Sequence, residues 1–249
     1  MKFSLFAFAL LVAALAPLRA NNSADAAVVP SPAPTVAKPI WAKLVLAGNS
    51  VTCFYATGTA APTTWTQVGK PTTVNFVNSP LLVGLFLCSH DATALSTGTI
   101  DNFSITPAPT YRLADVDIGS PALMGSANLI SGVWTLTGSG ADIWDTSDQF
   151  NFQPWLVWGD CTVVARITGL SAGQAWQKIG ITIRDGYNSG SDYASFVATN
   201  GNGICFQYRS NFTNNNDITQ LVAAPSPGIM SSVSIGYSTS GATSYVLRP

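Results

Sequence analysis

The chain contains no glutamate; all 12 of its acidic residues are Asp. It has one histidine, His90, and only 9% charged residues, with a net charge of −1. Each shortage removes a class of function. Without a basic stripe, nucleic acid and anionic membranes are poor partners. A Ser/His/Asp hydrolase would have to be built on His90. Adjacent strand residues point to opposite faces, so Ser89-His90-Asp91 cannot form a triad among themselves. The one Gly-x-Ser-x-Gly string, Gly169-Leu-Ser-Ala-Gly173, opens no helix-like pattern of the kind a nucleophile elbow needs. The cysteines Cys53, Cys88, Cys161 and Cys205 lack C-x-x-C spacing and sit in apolar, strand-like stretches, which argues against zinc. They read either as buried small hydrophobes or as disulfides, and sequence does not choose among the pairings. The apolar run from Leu5 to Ala16 falls short of the roughly 20 residues a spanning helix needs.

That run follows Lys2 and precedes Pro17 and small residues, the layout of a secretory signal peptide. Residues 1–20 are the expected leader, with cleavage after Ala20 or as late as Ala26. No Cys lies near either point, so a lipoprotein anchor is not expected. The expected location is secreted, extracellular or periplasmic. Residues 21–38 read as a linker, Pro/Ala-rich and extended over Ala27–Lys38. Residues 39–249 then form one domain with enough chain for a full core.

Helix signals are nearly absent from that domain. Short β-branched runs alternate with Gly/Asn/Ser/Pro clusters, which predicts an all-β sandwich or barrel. The expected strands are Ala42–Leu46, Ser50–Ala56, Thr64–Val68, Thr72–Phe76, Leu82–Ser89, Thr97–Thr106, Val133–Thr137, Gln149–Phe152, Cys161–Ile167, Lys178–Arg184, Ala194–Thr199, Gly203–Arg209 and Ser232–Tyr237. That is more than an immunoglobulin-type domain uses and suits a larger jelly roll. In Lys178–Arg184, Ile179, Ile181 and Ile183 share one face. Lys178, Thr182 and Arg184 share the other. In Gly203–Arg209, Ile204, Phe206 and Tyr208 face one way, Gln207 and Arg209 the other. If these strands are neighbours, Arg184, Gln207 and Arg209 form a polar row on one sheet face.

Ordered strings carry a resemblance. Asp117-Ile-Gly-Ser-Pro121, Gly138-Ser-Gly-Ala-Asp-Ile-Trp144, Thr146-Ser-Asp-Gln-Phe150, Gly159-Asp-Cys-Thr-Val-Val-Ala-Arg166, Trp176-Gln-Lys-Ile-Gly-Ile-Thr-Ile-Arg184 and Phe206-Gln-Tyr-Arg209 resemble exported bacterial domains of the concanavalin A-like lectin/glucanase superfamily. Residues 39–106 resemble the end of the same domain, through Pro39-Ile-Trp-Ala-Lys-Leu44, Gly48-Asn-Ser-Val-Thr52, Thr64-Trp-Thr-Gln-Val-Gly69, Val83-Gly-Leu85 and Thr99-Ile-Asp-Asn-Phe-Ser-Ile-Thr106. In the family that block comes last; here it comes first. The resemblance therefore implies a circularly permuted jelly roll, with 107–112 bridging a family-like C-terminal half and a family-like N-terminal half, 113–249. The alternatives are strands exchanged between chains and a truncated tandem copy. Residues 225–249 do not match the family.

Glycosidases on this fold pair two carboxylates, typically on a Glu-containing strand motif, and a chain without Glu cannot carry it. Asp142-x-x-Asp145-x-x-Asp148 is the nearest acidic cluster. It reads as local turn chemistry, with Ca²⁺ as the alternative and no other metal or cofactor expected. Sugar rings stack on aromatic side chains, and polar groups fix their hydroxyls. Trp155 and Trp158 lie in Gln153–Gly159, a loop-like segment where the chain departs from the family, and read either as a stacking platform or as loop packing. Trp65, Trp134, Trp144 and Trp176 read as core or core edge. Tyr187 and Tyr193 flank the polar loop 188–192. The expected function is therefore non-catalytic, lectin-like binding of a poly- or oligosaccharide through Trp155, Trp158, Arg184, Tyr187, Gln207 and Arg209. A structural or adhesive module assembling by strand exchange is the alternative. Sequons at Asn21, Asn102 and Asn211 matter only in a glycosylating host.

Overall fold

Alternating and β-branched runs become strands throughout the computed structural model, which describes residues 39–210 together with 220–223, 233–236 and 244–247. In chain order these are β1 (Ile40–Ala47), β2 (Ser50–Thr57), β3 (Thr66–Thr73), β4 (Leu81–Cys88), β5 (Asp91–Thr106), β6 (Tyr111–Arg112), β7 (Val116–Ile118), β8 (Ser126–Ile130), β9 (Val133–Gly140), β10 (Ile143–Trp144), β11 (Ser147–Asp148), β12 (Phe150–Val157), β13 (Cys161–Leu170), β14 (Lys178–Arg184), β15 (Tyr193–Thr199), β16 (Ile204–Arg209), β17 (Gln220–Ala223), β18 (Val233–Gly236) and β19 (Ser244–Leu247). The expected leader, its cleavage points and the linker lie outside the described residues, as does most of 211–249. Every described residue belongs to one compact unit, Pro32–Pro249.

The fold is an all-β sandwich of antiparallel sheets. The first sheet runs β3-β2-β1-β13-β5-β9-β8. The second runs β17-β16-β15-β14-β4-β12-β6, with β7 also on β12. Local sequence sets the hairpins. A two-residue Gly48-Asn49 turn joins β1 to β2, with Gly48 at φ +58°. Ser131 and Gly132 both take positive φ between β8 and β9, as the twist of a tight hairpin requires.

The two sequence blocks interleave. From the first block, β4 lies between β14 and β12, and β5 lies between β13 and β9. Each block thus fills positions in the sheets of the other within one chain. The main core sits between the sheets. Leu44, Val51, Ile100, Leu136 and Val163 of the first meet Val83, Leu85, Leu87, Phe196 and the Ile179/Ile181/Ile183 face of the second. Each fully buried Ile of that face contributes about 2 kcal/mol.

A second apolar cluster lies on the outer face of the second sheet. Leu82, Phe86, Phe150, Phe152, Val197 and Cys205 gather there around Ile143 and Ile118. Strands β4, β14 and β15 are consequently buried at every position. The segment carrying β10 and β11 covers this face. At its start Gly140 holds φ +127°, and a Cβ there would stand 2.0 Å from the Gln149 carbonyl oxygen.

The expected loop at Gln153–Gly159 is strand over most of its length, because β12 continues to Val157. Pro154 is accommodated opposite Gly84, and its carbonyl accepts the Leu113 N–H at 3.0 Å. The expected strand Thr72–Phe76 is absent. β3 runs on to Thr73, and the chain then leaves the sheet.

Candidate functional site

Alternation along β14 and β16 does bring Arg184, Gln207 and Arg209 to one face of one sheet. That face is the covered one. Arg184 is 1% exposed, and Gln207 and Arg209 are 0% exposed. Arg184 donates from Nη1 to Asp148 Oδ2 at 2.7 Å and from Nε to the Gly186 carbonyl at 2.9 Å. Arg209 donates from Nη1 to the same oxygen at 2.9 Å and from Nε to the Asp145 carbonyl at 2.7 Å. Its Nη2 also donates to Asp148 Oδ1. Gln207 donates to the Ile143 carbonyl at 2.8 Å and to the Tyr193 hydroxyl. These three side chains hold the cover down, and none reaches solvent.

Burial lowers the Arg184 pKa, and Asp148 only partly offsets it. Burial also works against Arg209, but Asp148 and Tyr193 outweigh it and hold its pKa above the ordinary value. Charge burial on this scale is tolerable only with such partners.

The Asp142/Asp145/Asp148 cluster divides three ways. Asp148 sits between the two guanidinium groups. Asp142 accepts from the 1%-exposed Lys178 ammonium, which also donates to the Ile143 carbonyl at 2.8 Å. Burial would raise the Asp142 pKa, but His90 and Lys178 bring it below the usual carboxylate value. Asp145 occupies a turn at φ +51°. Among the described residues, no group of three His, Cys, Asp or Glu side chains is placed to hold a metal ion. His90 lies in the bend between β4 and β5 at φ +54°, with Nδ1 3.5 Å from Asp142 Oδ1. The Ser89 hydroxyl instead donates to the Asp91 carbonyl at 2.6 Å.

The structure separates Trp155 from Trp158. Trp155 lies on the inner face of β12, whereas Trp158, 52% exposed, follows the strand outside. Tyr187 is 47% exposed beyond β14, and Tyr193 is buried beside Arg209. Tyr111 of β6 meets Trp158 edge-on, with centroids 6.3 Å apart.

Trp155 lines a cleft of about 450 Å³ at the open edge of the sandwich, where β6 and β12 face β5, β8 and β9. Its other walls are Phe103, Ser104, Ile105, Ala108, Pro109, Arg112, Leu129 and Trp134. The aromatic wall is packed ring against ring. Phe103 lies 4.6 Å from Trp155, and Trp134 meets Trp155 edge-on at 5.5 Å. The exposed Arg112 guanidinium rests over the Trp134 ring at 5.4 Å. A mainly apolar cleft with Arg112 and Ser104 at its wall suits a ligand that has both a ring face and a polar edge. Sequence reading did not single out Arg112, Phe103 or Leu129; its reading of Trp134 as core or core edge holds, the ring being 4% exposed. The available signal was a lone cation beside Tyr111 in an otherwise uncharged bridge, 107–112.

Comparison with family models, curated proteins and solved structures gave no match. What can be stated of class is therefore the architecture: an antiparallel two-sheet β-sandwich with one sheet covered on its outer face and an aromatic cleft at its open edge.

Proposed function

We propose that the chain is an exported, non-catalytic carbohydrate-binding module, related to the concanavalin A-like domains by a permuted strand order. One observation carries the binding proposal: two partly exposed aromatic rings, Phe103 and Trp155, backed by the buried Trp134, converge with an exposed guanidinium on a cleft sized for one or two sugar rings. Aromatic faces stack on the C–H faces of pyranose rings, and a forked donor then fixes their oxygens. The partly exposed Tyr111–Trp158 pair stands one residue along from Arg112 and offers a second contact for a longer chain. The interleaved halves support a permuted single-chain domain over strand exchange, because the chain's own strands occupy the positions an exchanged strand would take.

The test is a panel of oligosaccharides titrated against the full exported chain, followed by tryptophan fluorescence. Trp134 and Trp155 report directly from the cleft. Ala108→Trp fills the cleft from an exposed loop position and leaves the packed aromatic wall intact. Saturable binding that disappears in folded Ala108→Trp is the expected result. Binding unchanged in that variant would remove the cleft as the site, and no binding across the panel would remove the function.

A further inference from the structure

Charge placement narrows the ligand, given the proposal that the cleft takes a carbohydrate. The described residues use most of their cations internally. Arg166 pairs with Asp101 at 2.6 Å, Lys178 with Asp142, and Arg184 and Arg209 with Asp148. Lys43 lies over the Phe54 and Trp65 rings. Lys70 is on β3, at the opposite edge of the first sheet from the cleft. Arg112 differs from the paired cations, as Lys43 and Lys70 do, and of these three it alone lines the cleft. Among the described residues no carboxylate lies within ion-pair distance of it, and its guanidinium is exposed at the cleft wall.

We infer that the cleft selects acidic sugars, and that Arg112 receives the carboxylate of a uronic acid residue. A guanidinium donates two parallel N–H bonds to a carboxylate, a match that a neutral sugar hydroxyl does not offer. The cation–π contact with Trp134 holds the guanidinium at the cleft wall before binding, which lowers the ordering entropy lost when the ligand arrives. The apolar walls, Phe103, Trp155 and Leu129, take the ring, while the guanidinium stays exposed and its charge pairing is sensitive to salt. The uronate ring then lies against the aromatic wall, with its carboxylate toward β6.

The experiment compares α-1,4-linked trigalacturonate with its methyl triester, titrated against the full chain at low and at physiological salt. The two ligands share ring and linkage and differ in charge. The acid is expected to bind about tenfold more tightly or better. That preference should shrink as salt rises and disappear in Arg112→Gln. Arg112→Lys retains the charge without the fork and should recover part of it. Circular dichroism establishes that each variant is folded. Equal binding of acid and ester, or a preference that persists in Arg112→Gln, overturns the uronate inference and leaves carbohydrate binding standing. Binding of neutral panel sugars with no response to either galacturonate does the same. No binding of any sugar overturns both.

Discussion

Asp148 is the residue on which the covered face depends. It is 0% exposed and accepts from both Arg184 and Arg209, each also essentially buried. Asp148→Asn preserves the shape but leaves two guanidinium groups with no counter-charge. Breaking a buried ion cluster from one side costs about 3–5 kcal/mol, a large share of a typical domain's total stability. Urea denaturation should show that loss. A change under about 1 kcal/mol would mean that the backbone carbonyls alone satisfy the two arginines. The cysteines make a second prediction at this scale. All four are free and buried. Burial pushes Cys88 and Cys205 up to about 12 and Cys161 to about 11 from the ordinary 9.0, and raises Cys53 as well. Folded thiols therefore keep their protons while unfolded ones lose them above pH 9. The stability they provide is fully present below pH 9 and lost as pH rises toward the folded values. The loss should approach about 1.4 kcal/mol per pH unit for each thiol. Denaturation midpoints measured from pH 8 to 11 should fall, and a Cys88→Ala variant should fall less steeply.

Among elements, the β10–β11 cover determines what the outer face of the second sheet can do. Its entry depends on Gly140, whose φ of +127° and close approach to the Gln149 carbonyl exclude a side chain. Gly140→Ala should cost about 1–3 kcal/mol. It should also speed proteolysis within residues 141–149 more than elsewhere, which limited digestion with mass mapping would show. Uniform cleavage along the chain would mean that the segment has no independent hold on the sheet. The same element marks the limit of what was legible in the sequence. Period-two alternation correctly assigned Ile179, Ile181 and Ile183 to the core and put Lys178, Thr182 and Arg184 on the opposite face. Alternation describes one strand and carries no information on what lies above it. A polar row is normally a solvent row. Here it is buried because Asp142 and Asp148, many residues away, supply the charge that makes burial tolerable. The acidic cluster and the basic row were each visible, but only the fold shows that they pair. Trp155 lies in Gln153–Gly159, which reads as loop-like in sequence. The backbone instead continues as strand where Pro154 meets Gly84, which turns the indole inward to the cleft.

For the whole molecule, the central fact is that neither half of the described chain can complete a sheet alone. Removing β4 would strip β14 and β12 of their shared neighbour, and removing β5 would do the same to β13 and β9. Isolated fragments corresponding to 39–106 and 113–249 should therefore be unstructured apart, because each would expose unpaired strand edges in both sheets. The intact chain satisfies those edges itself, so the protein should be a monomer by light scattering across a concentration series. A surface that argues otherwise among the described residues is β8, an edge of the first sheet, where Leu129 is 47% exposed and Ile130 73% exposed. An edge strand with apolar side chains is where a second copy would add. A concentration-dependent dimer that Ile130→Lys returns to monomer would assign association to that edge and leave the interleaved fold intact. An association insensitive to Ile130→Lys, combined with structured isolated halves, would instead mean that the blocks exchange between chains. The cleft would then be built from two molecules, since Phe103 comes from the first block and Trp134 and Trp155 from the second.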